Sequence, residues 1–184
     1  MIRIVGGVAG RRPLRVPKAG TRPTSDRARE GLFNTLVGLV ELPGARVLDL
    51  YAGSGALGLE ALSRGAEVAV LVEADAEAAR TITANATALG LSGAEVVRAP
   101  VERHLAIPPA EPFEVVFADP PYGLAETELA GALERLAGAD WVRSGGVVVV
   151  ERSVRSPEPQ WPDPLQPIKH KRYGDTALWY RRKI

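Results

Sequence analysis

The chain has 184 residues, 46% hydrophobic and 24% charged, which suits one globular domain or one domain with a small extension. It contains no cysteine and two histidines, which excludes disulfides, thiol catalysis and cysteine-ligated zinc and argues against a metal site. No apolar run approaches the roughly 18 residues of a membrane span, and the start lacks a signal h-region. We therefore expect a cytoplasmic protein without a metal.

The net charge of +1 conceals an asymmetry along the chain. Residues 1–30 carry a net charge of +6 and residues 168–184 a net charge of +5, whereas the residues between carry −10. Basic ends on an acidic body predict that the termini hold a polyanion, although charged tails can also serve solubility alone. The residues assigned to this polyanion surface are Arg3, Arg11, Arg12, Arg15, Lys18, Arg22, Lys169, Lys171 and Arg172.

The first part of the chain is punctuated by glycine and proline. Short alternating pieces in residues 1–23 predict a small hairpin on the surface, a basic extension of the domain at 24–184. Thr24 or Ser25 then offers an N-cap for a helix that runs to about Val40.

From residue 45 onward, short apolar runs alternate with amphipathic stretches. Strands are predicted at 46–50, 67–72, 95–98, 113–118 and 146–151, and helices at 56–64, 76–89, 101–106 and 125–137. Five prolines predict a loop over 153–167, before a last pair of strands at 168–172 and 176–181. This alternation predicts βαβ units and an α/β fold with a mostly parallel sheet.

A glycine-rich loop follows the first of these strands. The stretch "VLDLYAGSGALGLEAL" (47–62) contains G-x-G-x-x-G from Gly53 to Gly58, and Glu73 lies 20 residues beyond Gly53. Glycines let the backbone approach a ligand, and an acid after the second strand can accept ribose hydroxyls. The pattern predicts a site for a nucleoside-bearing cofactor.

The charge of Asp49 bears on which cofactor binds. Asp49 lies four residues before Gly53, where a carboxylate would repel the pyrophosphate of NAD and attract a cation. S-adenosyl-L-methionine carries a sulfonium and an ammonium, so the charge favours it over NAD. The alternative, that Asp49 only caps loop amides, stays open.

The strand at 113–118 ends in "FADPPYG". This strand is the fourth in sequence and is expected beside the first, so Asp119 would face the cofactor at the carboxyl edge of the sheet. Asp119 and the Pro120 carbonyl can accept both hydrogens of an exocyclic amine, and the prolines hold these acceptors rigid. Tyr122 offers a face on which an extruded base can stack.

The acid-bearing strand, the glycine loop and "DPPY" together resemble the class I amino-methyltransferases. Four longer stretches narrow the resemblance to one family within this class: "RIVGGVAGRRPLRVP", "TRPTSDRAREGLFNTL", "LDLYAGSGALGLEALSRGA" and "RYGDTALWYRR". They resemble the bacterial small-subunit (16S) rRNA guanine-N2 methyltransferase family over essentially the whole chain. The resemblance implies a Rossmann-like seven-stranded, mostly parallel sheet with one antiparallel strand. It also implies S-adenosylmethionine as donor and N2 of one guanine in 16S rRNA as acceptor, in the small subunit or its assembly intermediate. Nothing indicates an obligate dimer, so we expect a monomer.

The resemblance also implies roles for individual residues. Cofactor binding is assigned to Thr24, Asp26, Asp49, Tyr51, Gly53, Ser54, Gly55, Glu73 and Ala74. The catalytic loop is Asp119, Pro120, Pro121 and Tyr122. One departure is the stretch Arg98-Ala99-Pro100, where many relatives place an acid or amide against the adenine amine.

Three alternatives stay open. "DPPY" also occurs in adenine-N6 methyltransferases of DNA or rRNA, although the chain lacks the inserted domain that a duplex-reading DNA enzyme usually needs. Protein glutamine methyltransferases usually have Asn in place of Asp119. A non-catalytic RNA-binding protein with a vestigial cofactor pocket would not need Asp119 and Tyr122 intact.

Overall fold

A computed structural model describes residues 1–18, 24–138 and 140–184. The helices are α1 (Asp26–Leu36), α2 (Ala56–Ser63), α3 (Ala76–Leu89), α4 (Val101–His104) and α5 (Glu126–Gly138). The strands are β1 (Ile2–Arg3), β2 (Pro13–Leu14), β3 (Arg46–Leu50), β4 (Val68–Glu73), β5 (Ala94–Arg98), β6 (Phe113–Ala118), β7 (Val142–Ser153), β8 (Leu165–Tyr173) and β9 (Thr176–Lys183). Among these described residues, no helix is both long and apolar enough to cross a membrane.

The main sheet has seven strands in the order β5-β4-β3-β6-β7-β9-β8. Neighbouring strands from β5 to β7 are parallel, and β9 is antiparallel to both β7 and β8. This confirms the predicted fold class and the predicted pairing of 113–118 with 46–50. Strand β8 starts at Leu165, before the predicted residue 168, and includes Pro167, which an edge strand tolerates because one row of its N–H groups has no strand partner.

Helix α1 is shorter than the sequence predicted. Ser25 is its N-cap and accepts a hydrogen bond from the Ala28 N–H at 3.1 Å. The helix ends at Leu36 rather than near Val40, because the Gly38 N–H bonds the carbonyl three residues back, at 3.2 Å, and tightens the chain into a turn.

Strand β7 is longer than predicted and begins at Val142 instead of 146. The pairing with β6 skips from Val142 to Val147, so the glycine pair at 145–146 lies in an irregularity within the strand. Gly145 has φ +83°, which a glycine adopts without strain, so the strand bends there without ending.

The N-terminal hairpin packs into the core instead of lying on the surface. Its apolar side chains Ile2, Ile4, Ala9 and Leu14 are buried in one cluster with side chains of α1, α2 and α3. A second cluster covers the other face of the sheet beneath α4 and α5. The hairpin is therefore a part of the core on the α1 side, because this burial removes apolar surface from water on both partners.

A buried carboxylate fixes this hairpin to the helices. Glu60 of α2 is fully buried and accepts hydrogen bonds from the N–H groups of Val5 and Gly6 at 2.8 and 2.9 Å. Its carboxylate also pairs with Arg64 Nε at 2.9 Å and with Arg29 Nε at 3.4 Å. Arg29 is equally buried and donates to the Arg3 carbonyl, so this cluster joins the hairpin, α1 and α2.

Candidate active site

A cavity of about 430 Å³ lies at the carboxyl edge of β3, β4, β6 and β7. This is the edge at which parallel α/β sheets bind ligands. Eleven of the residues predicted for the site line its wall: Thr24, Asp49, Tyr51, Gly53, Ser54, Glu73, Ala74, Asp119, Pro120, Pro121 and Tyr122.

Two of the residues predicted for the cofactor and catalytic site, Gly55 and Asp26, are not among those lining the cavity. Gly55 is the N-cap of α2 with φ +83°, and a Cβ on it would meet the side chains of Ile82 and Leu59 at 3.0 and 3.2 Å. Asp26 is the first residue of α1 and pairs with Arg29 at 2.8 Å, so its carboxylate is directed toward the buried ionic cluster. Arg22, predicted for the polyanion surface, lies outside the described residues.

The glycine loop turns sharply between β3 and α2. Tyr51, Gly53 and Gly55 all have positive φ, at 59°, 60° and 83°. A Cβ on Gly53 would meet no atom within 4 Å, since the backbone faces the open cavity at this point. The loop therefore presents bare backbone to whatever occupies the cavity, as close approach of a ligand requires.

Asp49 lies beneath this loop and is only 1% exposed. Its Oδ2 accepts a hydrogen bond from the Gly58 N–H at 2.9 Å, the amide contact that the sequence left open as an alternative role. Burial raises the pKa of Asp49 to about 8; the Gly58 hydrogen bond opposes this, and the charge of Glu73 adds to it. A carboxylate held in this way is stabilised by a cationic ligand.

Glu73 ends β4 on the neighbouring side of the cavity. Its Oε1 accepts from the Gly53 N–H and its Oε2 from the Asp75 N–H, both at 2.8 Å. These two bonds orient the carboxylate between the glycine loop and the start of α3. The remaining lone pairs of a carboxylate oriented in this way can accept hydroxyl groups of a ligand.

The predicted catalytic loop forms the opposite wall. Asp119 follows β6 directly, and its Oδ2 lies 3.1 Å from Thr24 Oγ1. Burial raises the pKa of Asp119 well above its usual range, and the nearby Glu151 carboxylate raises it further. The Leu124 N–H bonds the Pro121 carbonyl at 3.0 Å and closes the turn, while Tyr122 is 65% exposed at the rim.

The sequence reasoning missed several residues of the wall. Glu151, Arg152 and Ser153 contribute from the end of β7, and Thr176 from the start of β9. The predicted strand at 146–151 ended at Glu151, so the position of an acid at the carboxyl edge was a signal in the sequence. Thr176 reaches the wall because β9 runs antiparallel, which local sequence does not reveal.

The part of the cavity wall that follows β5 also contains an acid. This is where the stretch Arg98-Ala99-Pro100 departs from the pattern of many relatives. Pro100 and Glu102 both line the cavity there, the latter from α4. Glu102 is two residues beyond the stretch Arg98-Ala99-Pro100, a spacing that the prediction did not consider.

The charges around the cavity fit a cationic cofactor. Asp49, Glu73, Asp119 and Glu151 surround it, and the one basic side chain among the lining residues that the structure describes, Arg152, is paired with Glu126 at 2.5 Å. Those of the four acids that are ionised would repel a pyrophosphate, whereas a sulfonium would be attracted and would itself favour their ionised form. The described residues show no group of three or more His, Asp or Glu with the geometry of a metal site.

The predicted polyanion surface is accessible to solvent. The exposed members are Arg3, Arg11, Arg12, Arg15, Lys18, Lys169, Lys171 and Arg172. The guanidinium of Arg12 is in addition engaged in the fold, because it donates to the carbonyls of Ala88 and Leu89 at the end of α3. Lys169 and Lys171 lie on one side of β8 and Arg172 on the other, since strand side chains alternate.

Comparison with known proteins identifies the family. The family model described as "Conserved hypothetical protein 95" matches residues 2–182. The chain is 40% identical to "Ribosomal RNA small subunit methyltransferase D" of Escherichia coli strain K12, over 96% of this chain and 87% of that protein. The chain therefore belongs to the family whose model matches it. The membership confirms the resemblance found in the sequence.

Two further relatives extend the similarity within the family. The protein of the same name from Haemophilus influenzae is 36% identical over 85% of this chain and 81% of its own length. The solved structure of a hypothetical protein from Thermus thermophilus superposes with a TM-score of 0.84, at 37% identity over the whole of both chains. The N-terminal hairpin and the β8–β9 pair are therefore covered by the similarity as well as the central sheet.

Proposed function

We propose that the protein transfers a methyl group from S-adenosylmethionine to the exocyclic N2 of a guanine in 16S rRNA. The observation that carries this is the Asp119-Pro120-Pro121-Tyr122 loop, which faces a cavity surrounded by carboxylates at the switch point of the sheet. The names of the relatives support small-subunit rRNA as the substrate. We infer a cytoplasmic monomer that acts on the small subunit or its assembly intermediate.

The residues of the cavity suit the cofactor in three places. Asp49 and the bare backbone at Gly53, with Ser54 beside them, would hold the methionine half of the cofactor. Glu73 would accept the ribose hydroxyls. Ala74 would lie beside the adenine. Tyr51 and Thr24 complete this wall. When bound, S-adenosylmethionine supplies a methyl group activated by its sulfonium.

The catalytic loop would orient the amine of guanine. N2 is a weak nucleophile because its lone pair is delocalised into the ring. Hydrogen bonds from its two hydrogens to Asp119 and to the Pro120 carbonyl favour a pyramidal nitrogen whose lone pair points into the cavity. The exposed ring of Tyr122 offers the stacking face that an extruded base needs.

The exposed basic side chains of the hairpin and of β8 would bind phosphates of the rRNA. Contacts of this kind release counterions, so binding should weaken as the salt concentration rises. They position the RNA, while the choice of guanine depends on the cavity.

The decisive experiment compares the wild type with Asp119→Ala on undermethylated small subunits. Labelled nucleosides are digested and separated, so that N2-methylguanine is distinguished from N6-methyladenine. We expect N2-methylguanine from the wild type, none from Asp119→Ala, and a cofactor dissociation constant within about three-fold in both, since Asp119 acts in positioning the amine. Label in adenine, or better labelling of naked DNA than of subunits, would overturn the proposal, as would full turnover by Asp119→Ala.

A further inference from the structure

A second carboxylate stands beside Asp119. Strands β6 and β7 are parallel neighbours in which Ala118 pairs with Val150. The next residue on each strand is an acid, Asp119 and Glu151, so the register brings the two side chains to the same height at the cavity wall.

One hydroxyl bridges these two carboxylates. Thr24 Oγ1 lies 2.7 Å from Glu151 Oε2 and 3.1 Å from Asp119 Oδ2. Thr24 is 9% exposed. A threonine hydroxyl has one hydrogen and can donate it to only one of two carboxylate oxygens. Both contacts are hydrogen bonds only when a second proton lies on one of the carboxyl groups.

The surroundings decide which carboxyl group holds that proton. Burial is the main cause that raises the pKa of both acids. The charge of Glu151, and after it that of Asp49 on β3, raises the pKa of Asp119 further, while the Thr24 hydrogen bond lowers it. The contacts of Glu151 with Thr24 and Asp119, and after them the charge of Arg29 on α1, lower the pKa of Glu151. We infer that Asp119 holds the proton and that Glu151 is ionised. Hydrogen bonds then run in one direction, from the Asp119 carboxyl to Thr24 Oγ1 and from the Thr24 hydroxyl to Glu151.

We propose that Glu151 is a positioning residue of the methyl transfer that receives the substrate's proton through Thr24 and Asp119. The inference rests on the proposed function, because the proton comes from the amine of guanine. It assigns to Thr24 a role beyond cofactor binding, and to Glu151 a role that the sequence did not reveal.

The proton transfer balances at every atom. As N2 gains its methyl group, it becomes acidic and its N–H bond breaks, while an O–H bond forms at Asp119 Oδ1. The proton on Asp119 Oδ2 passes to Thr24 Oγ1, and the original Thr24 proton passes to Glu151 Oε2. Asp119 ends neutral, as it began, and Glu151 carries one proton that is later released to water. No oxidant, reductant or further reactant is needed.

The first test reads the two carboxyl groups directly, without substrate. Carboxyl ¹³C shifts are followed against pH by NMR in the wild type and in Glu151→Gln. In the wild type we expect two coupled steps shared by Asp119 and Glu151. In Glu151→Gln, Asp119 should titrate in one step at lower pH, because the neighbouring negative charge is gone. An Asp119 titration that is identical in both proteins would overturn the proposal.

The second test measures single-turnover methylation against pH for Glu151→Gln, Glu151→Asp, Thr24→Val and Thr24→Ser, with Glu128→Gln as the control. Glu128 is an exposed acid of α5. We expect about 100-fold slower transfer in Glu151→Gln and Thr24→Val, the lower range of general acid–base effects. In Glu151→Gln the RNA KM and the cofactor dissociation constant should stay within about three-fold of wild type. Thr24→Val is compared at saturating cofactor, because Thr24 also lies on the wall assigned to the cofactor. Thr24→Ser should keep most of the rate and Glu151→Asp an intermediate rate.

The pH profile distinguishes a proton relay from Asp119 through Thr24 to Glu151 from a merely structural role of Glu151. The wild-type rate should fall at low pH as Glu151 takes up a proton, and this fall should be absent in Glu151→Gln. An unchanged profile, or equal losses in Glu151→Asp and Glu151→Gln, would show a structural role and overturn the inference. A fully active Glu151→Gln overturns the relay alone, whereas a wild type that methylates no guanine overturns the proposed function, and the relay with it.

Discussion

The ring of Tyr173 occupies the space beside Gly31 where a side chain would begin. A Cβ on Gly31 would come within 2.3 Å of both Tyr173 Cζ and Tyr173 Oη. Gly31 lies within α1, and Tyr173 is the last residue of β8, next to the turn into β9. Since Thr24 precedes α1 and Thr176 follows that turn, this contact aligns two walls of the cavity.

Gly31→Ala should therefore destabilise the protein although alanine favours helix. We expect a loss of about 1–2 kcal/mol in the free energy of unfolding, as overpacking outweighs the gain in helix propensity. Chemical denaturation measures the change. Gly131→Ala in α5 is the matched control, because no atom lies within 4 Å of the site for its Cβ, and it should stabilise by about 0.5–1 kcal/mol. Tyr173→Leu should rescue Gly31→Ala; a loss that persists in the double variant would contradict this account.

Asp49→Asn should stabilise the ligand-free protein against unfolding. It should also weaken the preference of the cavity for a cationic over a neutral ligand. The pKa of Asp49 is raised to about 8 by burial, so the folded state binds the proton more tightly than the unfolded state does. Its contribution to stability is consequently present at low pH and is lost as the pH rises to about 8. The variant's advantage should grow between about pH 5 and pH 8.5 by at least 1 kcal/mol, because one pKa unit corresponds to about 1.4 kcal/mol.

The same residue can be tested by calorimetric titration with two ligands that differ in the sulfonium. Wild-type affinity for S-adenosylmethionine relative to S-adenosylhomocysteine should increase as the pH rises through about 8, because the ionised Asp49 attracts the cation. In Asp49→Asn the ratio should be flat with pH. A pH-dependent ratio in the variant would show that another group is responsible.

Tyr122→Ala should weaken the use of RNA while leaving cofactor affinity unchanged. The ring is 65% exposed at the rim, so its removal creates no cavity in the core. Loss of one base–aromatic stack should cost about 1–3 kcal/mol in kcat/KM for rRNA. Steady-state kinetics with small subunits measures it, and Tyr122→Phe should stay near wild type. If Phe is as impaired as Ala, the hydroxyl matters and stacking is not the cause.

Glu60→Gln should detach the N-terminal hairpin from the helices. The carboxylate accepts two backbone N–H groups and faces Arg29, which is fully buried and, among the described residues, would keep only its ion pair with Asp26 at 2.8 Å. Breaking a buried ion pair on one side costs about 3–5 kcal/mol in the free energy of unfolding, and because Asp26 remains we expect a loss of about 3 kcal/mol. Hydrogen exchange should show faster exchange at the Val5 and Gly6 amides. Glu67→Gln, at an exposed acid before β4, should change neither the free energy of unfolding nor the exchange rate of these two amides.

The elements with strong local signals were predicted with the greatest accuracy. Helix 76–89 and strands 46–50 and 113–118 have the bounds that the sequence indicated. The helix has Asp75 as N-cap and Gly90 in the left-handed region as its end, signals that lie within a few residues of it. Strand β7 was less accurate, because its glycine irregularity depends on pairing with β6.

The sequence by itself determined the fold class, the family resemblance, the glycine loop and the acids that end β4 and β6, since alternation, spacing and chain order are local properties. The tertiary structure alone decided that Thr24 meets Asp119 and Glu151, residues 95 and 127 positions away, and that Asp26 faces Arg29 instead of the cavity. It also placed the hairpin in the core and gave Arg12 a partner at the end of α3. These contacts depend on the packing of distant elements and on sheet register, and neither leaves a pattern in neighbouring residues.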